Sequence, residues 1–182
     1  MNDKIVAIVG MCGSGKSELT ALFCADGFQS IHFGDVTQME IKRRGLTVCE
    51  ANERAIREEV RKEYGLGAYA ILLLPEIEKA AEHSRVVLDG LYSWSEYKYL
   101  REKLGDRLVI LAMVTGAGVR KARLASRPVR PLTAAEVDSR DHSEIENLEK
   151  GGPIAIADYY IDNNGDFDAL KAQYEALKKN WN

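Results

Sequence analysis

The sequence predicts a doubly wound α/β domain built on a parallel, five-stranded sheet. Short apolar runs alternate with longer mixed segments, and the runs that resemble strands fall at residues 5–9, 29–33, 86–89, 108–114 and 159–161. Their near-continuous Val, Ile and Leu content is typical of strands covered on both faces, and the intervening segments are long enough for crossover helices. Sheets of this type bind ligands at the carboxyl ends of their strands.

The segments between the strands predict the helices and one excursion from the sheet. The clearest helix is predicted at Glu50–Tyr64, closed by Gly65, and the last helix is predicted to begin near Asp166. Prolines, a Gly-Gly pair and many charges at residues 127–153 indicate a small helical lid. A plain surface insertion is the alternative. We expect a single domain with a core of residues 1–34, 84–126 and 154–182, a helical insertion at about 35–83 and a lid at about 127–153.

Composition limits the partners that we expect. The 182 residues suit one compact domain, and the net charge of −3 offers no electrostatic attraction for nucleic acid or a membrane. We see no apolar run near the ~20 residues that cross a bilayer, and we expect no secretory leader. Three cysteines without CxxC spacing argue against a disulfide framework or a zinc site. A cytoplasmic protein is therefore expected, and its oligomeric state stays open.

A glycine-rich loop follows the first predicted strand and precedes a predicted helix. It has the pattern G-x-x-x-x-G-K-[ST] and comprises Gly10, Met11, Cys12, Gly13, Ser14, Gly15, Lys16 and Ser17. Glycines permit a tight turn whose backbone N–H groups point inward, and the following helix adds the positive end of its dipole. Lys16 suits the β- and γ-phosphates, and Ser17 suits Mg²⁺. We predict that these residues and the adjacent Glu18 bind a nucleoside triphosphate.

Two other predicted strands end near a carboxylate and a glycine. Asp89 and Gly90 end the third strand, where the carboxylate is suited to organise a magnesium shell and the glycine lets a second ligand approach the backbone. Asp35 follows Gly34 after the second strand. We predict that Asp35, Asp89 and Gly90 contact a second substrate. A simple Asp-Gly turn at the end of the strand is the alternative.

Arginines concentrate at the predicted lid. Arg120, Arg123 and Arg127 are spaced i, i+3, i+7 and share one helix face, and Arg130 and Arg140 follow within the lid. Phosphoryl transfer needs cations on the transferring group, and a closing flap also excludes water. The pattern therefore favours a kinase over other nucleotide-binding proteins, although a solvated charged face would have the same spacing.

These motifs together resemble those of the adenylate-kinase-related P-loop kinases, the nucleoside-monophosphate-kinase-like group. Besides the glycine-rich loop, the likeness is carried in order by FGDVTQMEIKRRGL, VVLDGLYSWSEY, RLASR, SRD and ADYYIDNNGDFDALKAQ. The last segment is also similar to dephospho-CoA kinases. The resemblance implies transfer of the ATP γ-phosphate to a nucleotide-like acceptor.

The resemblance also implies roles for particular residues. The residues that would stabilise the transferring charge are Lys16, Arg123, Arg127 and Arg140. Ser17 and Asp89 would hold Mg²⁺, and Asn163 and Gly165 would lie near the adenine.

The sequence departs from this group at two positions that bind the acceptor's phosphate. Relatives carry arginine where this chain has Gln38 and Tyr92. Each lost charge-assisted hydrogen bond is worth roughly 1.5–3 kcal/mol, so the acceptor either lacks a phosphate there or binds other cations. Arg54, Arg57 and Arg61 form a stripe on the clearest predicted helix, and we predict Arg54, Arg57 and Tyr92 as acceptor-binding residues. Ion pairs on an exposed helix would equally explain the arginines.

The function that we expect is that of a kinase, dependent on ATP and Mg²⁺, whose acceptor is a nucleotide, a nucleoside or a related small molecule. A dephospho-CoA kinase is one alternative, supported by the segment DNNG. An ATP-binding regulatory protein without small-molecule kinase activity is another, because both phosphate-binding arginines are missing. The sequence does not distinguish between ATP and GTP.

Overall fold

The computed structural model of the chain describes residues 4–128 and 131–180. Its strands are β1 (Ile5–Val9), β2 (Phe28–His32), β3 (Arg85–Asp89), β4 (Leu108–Val114) and β5 (Tyr159–Asp162). Within the described residues they form one parallel sheet in the order β2-β3-β1-β4-β5. The predicted doubly wound, five-stranded architecture is therefore confirmed.

The strand ends differ from the prediction by one residue at three strands because backbone pairing sets them. Phe28 pairs with Arg85 and His32 with Asp89, so β2 and β3 begin one residue earlier than expected. Phe33 lies beyond the paired residues of β2. At the other edge, Val114 pairs with Asp162, which extends β5 by one residue.

Helices cover both faces of the sheet. They are α1 (Lys16–Ala25), α2 (Asp35–Arg43), α3 (Glu50–Tyr64), α4 (Ala68–Ala81), α5 (Trp94–Leu104), α6 (Ala117–Ala125), α7 (Ala134–Glu146), α8 (Gly151–Ala155) and α9 (Phe167–Asn180), with a 3₁₀ turn at Gly105–Arg107. The helix at Glu50–Tyr64 has the predicted ends. The last helix begins one residue after Asp166.

The side chains of β1 alternate between the two apolar cores that cover the faces of the sheet. Ile5, Ala7 and Val9 face a core formed with α2, α3, α4 and α5. Val6 and Ile8 face the opposite core, formed with α1 and α9. All five residues of β1 are buried, as expected for a central parallel strand. This double cover fixes the carboxyl edge of the sheet, where the candidate site lies.

The predicted lid contains one long helix and the beginning of a short one. Thr133 caps α7: its hydroxyl accepts the Glu136 N–H at 3.3 Å, and the Glu136 carboxylate accepts the Thr133 N–H at 2.7 Å. Residue Arg130 lies outside the described residues. Helix α8 packs against β4 and α5, so the last residues of the predicted lid adjoin the sheet. Lys150 and Pro153 are accordingly buried.

Among the described residues, none of the helices has the length and apolar character needed to cross a membrane.

The β3 side chain of Leu88 provides a test of the core. Leu88 is fully buried between the sheet and its helices, so Leu88→Ala should lower the free energy of unfolding by about 2–5 kcal/mol through lost burial and a residual cavity. Urea unfolding would measure the change. Leu72→Ala on α4, whose side chain is 38% exposed, is the matched control and should cost less than about 1 kcal/mol. Similar costs for both substitutions would contradict the assigned burial.

Candidate functional site

The glycine-rich loop turns tightly between β1 and α1. Gly15 has a φ of +94°, and a Cβ atom there would collide with the side-chain amide of Asn163. A Cβ atom on Gly10 would lie 2.6 Å from the carbonyl oxygen of Met113. Both positions therefore require glycine, for conformation and for space. The loop forms a cradle whose back is packed against β4 and the segment after β5.

Residues that directly follow β4 and β5 support this loop from behind. The carbonyl oxygen of Ser14 accepts hydrogen bonds from the Thr115 hydroxyl at 3.1 Å and from the Asn163 amide at 2.8 Å. Arg123 donates to the carbonyl oxygens of Asn163 and Gly165, both at 2.8 Å. Arg123, predicted to act on the transferring phosphoryl group, is therefore placed on the turn after β5. Asn163 and Gly165 lie in that turn, directly behind the loop.

Lys16 begins α1 and folds back over the loop. Its ammonium donates to the carbonyl oxygens of Gly10 at 2.9 Å and Met11 at 3.1 Å. Burial, and next the nearby Lys150 ammonium, lower the pKa of Lys16 to about 8. An ammonium in this environment is stabilised by an additional anion, which is what a bound polyphosphate supplies.

A carboxylate from α7 occupies the mouth of the loop. Glu144 Oε2 accepts the backbone N–H of Cys12 at 3.2 Å and lies 2.8 Å from the ammonium of Lys150. Its other oxygen lies 3.4 Å from Arg140 Nε. Burial opposes ionisation of Glu144, but the cations of Lys150, Arg140 and Lys16 bring its pKa below the ordinary value. The loop therefore holds an anionic oxygen in this structure, and its amides and Lys16 fit a phosphate group.

Arg120 joins the same loop to α7. Its guanidinium binds Asp141 through two hydrogen bonds of 2.7 and 2.6 Å and donates to the carbonyl oxygen of Cys12 at 3.2 Å. Arg120 is only 5% exposed, so this bidentate pair is largely withdrawn from water. Of the arginine stripe on α6, Arg120 and Arg123 are thus engaged in holding segments together. Arg127 lies exposed just after the end of α6.

A cavity of about 840 Å³ opens beside the loop, between α2, α3 and α7. The cations on its wall are Arg57, Arg61, Arg140 and Lys150, and the acids include Asp35 and Glu53. Its volume lies within the range of ordinary small-molecule sites. Because Lys150 and Glu144 belong both to this wall and to the mouth of the loop, the cavity and the loop adjoin.

The arginine stripe of α3 divides between this cavity and solvent. Arg57 and Arg61 line the cavity, whereas Arg54 is exposed, pairs with Glu58 at 2.8 Å and is not part of the lining. The Arg61 guanidinium lies over the Tyr69 ring at 5.3 Å, and its buried Nε has no hydrogen-bond partner among the described residues. Of the two arginines predicted to bind the acceptor, Arg57 therefore lines the cavity and Arg54 does not.

Gln38 and Tyr92, where the sequence departs from the kinase group that it resembles, also line the cavity. Gln38 donates to Glu53 at 3.1 Å. The hydroxyl of Tyr92 lies 3.5 Å from His32 Nε2, and His32 Nδ1 lies 3.1 Å from the carboxylate of Asp35. Burial raises the pKa of Tyr92. The predicted substrate residues Asp35 and Tyr92 are thus linked through His32.

Glu96 anchors the segment that carries Tyr92. The buried Glu96 carboxylate accepts the backbone N–H groups of Tyr92 at 2.7 Å and Ser93 at 2.9 Å and completes a capping box with Ser93. Burial raises the pKa of Glu96 to about 7. Tyr92 therefore has a fixed position after β3. It packs so closely on Gly90 that a Cβ atom added at that glycine would collide with the Tyr92 ring.

The residues predicted to hold Mg²⁺ lie at the edge of the sheet that carries the loop. Asp89 ends β3 opposite Ile8 of β1. Burial lowers the pKa of Lys16, and the nearby Asp89 carboxylate partly opposes this shift. Ser17 and Glu18 are exposed in the first turn of α1. In the described ranges, no group of three or more His, Cys, Asp or Glu side chains could hold a metal ion alone. One hydroxyl and one carboxylate nevertheless fit Mg²⁺, which usually takes the remaining ligands from phosphates and water.

Three residues of the candidate site were not predicted from the sequence: His32, Glu144 and Lys150. The spacing of Arg140 and Glu144 predicts only an i,i+4 pair on a helix. The charged run before Gly151 gives no sign that Lys150 is buried. Their positions depend on contacts between segments far apart in sequence, such as Cys12 and Glu144, which are 132 residues apart.

Comparison with known proteins finds relatives along the whole chain. No family model matches it. A UPF0200 protein of Thermococcus kodakarensis is 33% identical over 177 residues, covering 95% of each chain. A UPF0200 protein of Pyrococcus abyssi is 32% identical over 177 residues, covering 95% of this chain and 94% of the relative.

Several solved structures have a fold similar to that of this chain. TT1252 from Thermus thermophilus has a TM-score of 0.63 at 21% identity, with 98% of each chain covered. Shikimate kinase from Bacteroides thetaiotaomicron has a TM-score of 0.61 at 16% identity, with 97% of each chain covered. A gluconokinase from Sinorhizobium meliloti has a TM-score of 0.57 at 19% identity, covering 98% of this chain and 95% of the other. The fold is thus that of P-loop kinases.

The lowered pKa of Lys16 predicts a pH dependence of nucleotide binding. Above pH 8 the free protein loses the Lys16 proton, whereas bound polyphosphate favours the charged form, so ATP affinity should fall as pH rises. Between pH 7 and pH 9 the dissociation constant of Mg²⁺-ATP should increase about tenfold in calorimetric titrations. Lys16→Arg, which stays charged in this range, should show no such change. An equal pH dependence in both proteins would assign the effect to another group.

Proposed function

The chain belongs to the UPF0200 family, and we propose that it is a phosphotransferase, dependent on ATP and Mg²⁺, that acts on a small molecule. The acceptor that we propose is a nucleotide, a nucleoside or a related compound. The observation that carries the proposal is the contact between the glycine-rich loop and a cation-lined cavity, which meet at Glu144 and Lys150. The small-molecule kinases among the proteins of the same fold support it. Activity in the cytoplasm, where ATP is abundant, is part of this proposal.

The donor side of the proposed site is the loop. Its amides would bind the β- and γ-phosphates, and Lys16 would leave the carbonyl oxygens of Gly10 and Met11 to pair with them. Arg140, on the wall of the cavity, would neutralise charge on the transferring group. Bound Mg²⁺, held through Ser17 and Asp89, would neutralise phosphate charge and orient the polyphosphate. In loose phosphoryl transfer such positioning and charge neutralisation supply most of the rate.

The acceptor side is the cavity between α2, α3 and α7. Its volume of about 840 Å³ accommodates a molecule of nucleotide size. Gln38 and Tyr92 bond to Glu53 and His32 and do not supply cations. Arg57 and Arg61 on α3 supply them from another wall. We therefore propose that an anionic group of the acceptor binds at Arg57 and Arg61, and that its uncharged portion lies along Asp35 and Tyr92.

A panel of acceptors tests the activity. ADP release would be measured in a coupled assay with mononucleotides, nucleosides and dephospho-CoA, each with Mg²⁺ and with ATP or GTP as donor. We expect at least one acceptor to accelerate ADP release, and Lys16→Ala should lower that rate about 100-fold or more. Acceptor-independent ADP release alone, at a slow rate in all cases, would contradict the proposal.

Arg61 tests the position of the acceptor. Arg61→Ala should raise the KM for an anionic acceptor about tenfold and change kcat less, because it removes charge-assisted hydrogen bonds to the acceptor. Lys62→Ala is the matched control, since Lys62 is the adjacent cation of α3 and is exposed. Arg54→Ala distinguishes two versions of the proposal: an equal effect there would favour an acceptor that extends along α3 toward solvent. A KM unchanged by Arg61→Ala would exclude the proposed acceptor position.

A regulatory protein that binds ATP without transferring phosphate is the second candidate. The observation that favours it is the Arg120 contact, which joins α7 to the loop through Asp141 and the carbonyl oxygen of Cys12. Through this contact, ATP binding would reposition an exposed helix available to a partner. Tight ATP binding with protection of α7 from protease, but without product from any acceptor, would support this candidate over the kinase.

A further inference from the structure

Lys150 is a buried lysine near the end of the predicted lid. Its side chain is 2% exposed, and it lies at the junction of the loop and the cavity. Its ammonium pairs with Glu144 at 2.8 Å and lies 5.2 Å from the centre of the Tyr92 ring. It is close enough to Lys16 to lower the pKa of that residue. A buried lysine beside another lysine is costly without a compensating anion.

The compensating anion in this structure is the carboxylate of Glu144. A single oxygen, Glu144 Oε2, contacts both the Cys12 N–H at 3.2 Å and the Lys150 ammonium at 2.8 Å. Arg140 lies against the other oxygen. An anionic oxygen is thus held at this point by a loop amide on one side and by a lysine on the other, which is the environment that a terminal phosphate oxygen requires.

We propose that Lys150 binds the γ-phosphate of ATP and that the Glu144 carboxylate occupies this position until ATP displaces it. The inference rests on the proposed function, because it assumes that the loop binds a nucleoside triphosphate. It adds a phosphate-binding residue from outside the loop and a side chain of the same protein that competes with the nucleotide. The γ-phosphate carries more charge than the carboxylate and so compensates the cations better.

The backbone around Lys150 favours a fixed lysine and a displaceable glutamate. Glu149 has a φ of +53°, uncommon for a residue other than glycine, and turns the chain between α7 and α8. The Lys150 N–H donates to the carbonyl oxygen of Glu144 at 3.1 Å. The following helix packs on β4 and α5, with Gly152 against the Trp94 ring. Lys150 is therefore anchored next to a helix that packs on the sheet, and between Lys150 and Glu144 only the Glu144 side chain has to move when phosphate enters.

Comparing ATP with ADP isolates the γ-phosphate. Dissociation constants of both nucleotides, each with Mg²⁺, would be measured by calorimetry for the wild-type protein, Lys150→Gln and Glu144→Gln. Lys150→Gln should weaken ATP binding about tenfold or more and ADP binding less than about threefold, because only ATP reaches Lys150. Glu144→Gln should strengthen ATP binding, since a neutral amide competes less well for the cations, and should change ADP binding less.

Two further variants are controls for misfolding and for effects on nucleotide binding that do not involve the γ-phosphate. Lys150→Gln leaves Glu144 buried without its cation, so the double variant Lys150→Gln/Glu144→Gln is compared with Glu144→Gln alone; the same selective loss of ATP affinity is expected. Lys178→Gln removes another lysine–carboxylate ion pair, that of Lys178 on α9 with Asp26 at 2.7 Å, and should leave the ratio of ATP to ADP affinity unchanged. Thermal melts monitored by circular dichroism confirm that each variant is folded.

Specific results would overturn the inference. Equal losses of ATP and ADP affinity in the Lys150 variants, or no loss in either, would exclude contact with the γ-phosphate. Weaker ATP binding by Glu144→Gln would exclude competition by Glu144. If these ratios are as expected but no acceptor is phosphorylated, the kinase proposal fails and the inference stands. If an acceptor is phosphorylated and the ratios do not change, the inference fails and the kinase stands. A wild-type protein that binds no ATP would overturn both.

Discussion

Hydrogen-bonded pairing between parallel strands is the constraint on which the candidate site depends. Ile8 of β1 aligns with Asp89 of β3, and Asp89 aligns with His32 of β2. The loop after β1, the Asp89 carboxylate and the segment of Asp35 therefore reach one edge of the sheet. A shift of one residue in any pair would exchange the two faces of a strand and place side chains of one core in the other. The double apolar cover thus holds the functional edge in register.

Charge balance is the second feature that organises the site. Lys16, Arg140 and Lys150 surround the mouth of the loop, and Glu144 supplies the carboxylate between them. A buried cation that loses its partner leaves an uncompensated charge, which costs several kcal/mol. Such a cluster is stable with a resident carboxylate and is also suited to a phosphate. The same charges therefore account for the position of Glu144 and underlie the proposed binding of a phosphate.

The arginines show that helical spacing defines a face but not what that face meets. Arg120 and Arg123 share a face of α6, yet one binds Asp141 and the other binds the turn after β5. On α3, Arg57 and Arg61 meet the cavity and Arg54 meets solvent. Their guanidinium groups are chemically equal, so the neighbouring elements decide which of them bind other segments and which face the cavity or solvent.

Local patterns in the sequence determined much of this protein. The apolar runs specified the strands and their burial on both faces, the glycines and Lys16 specified the glycine-rich loop, and Thr133 with Glu136 specified the start of α7, because each depends on neighbours within a few residues. The tertiary structure alone decided that Glu144 enters the loop, that Lys150 is buried and that His32 links Asp35 to Tyr92. These contacts join segments up to 132 residues apart. The sequence does not predict them because tertiary packing, not local spacing, selects the partner of a charged side chain.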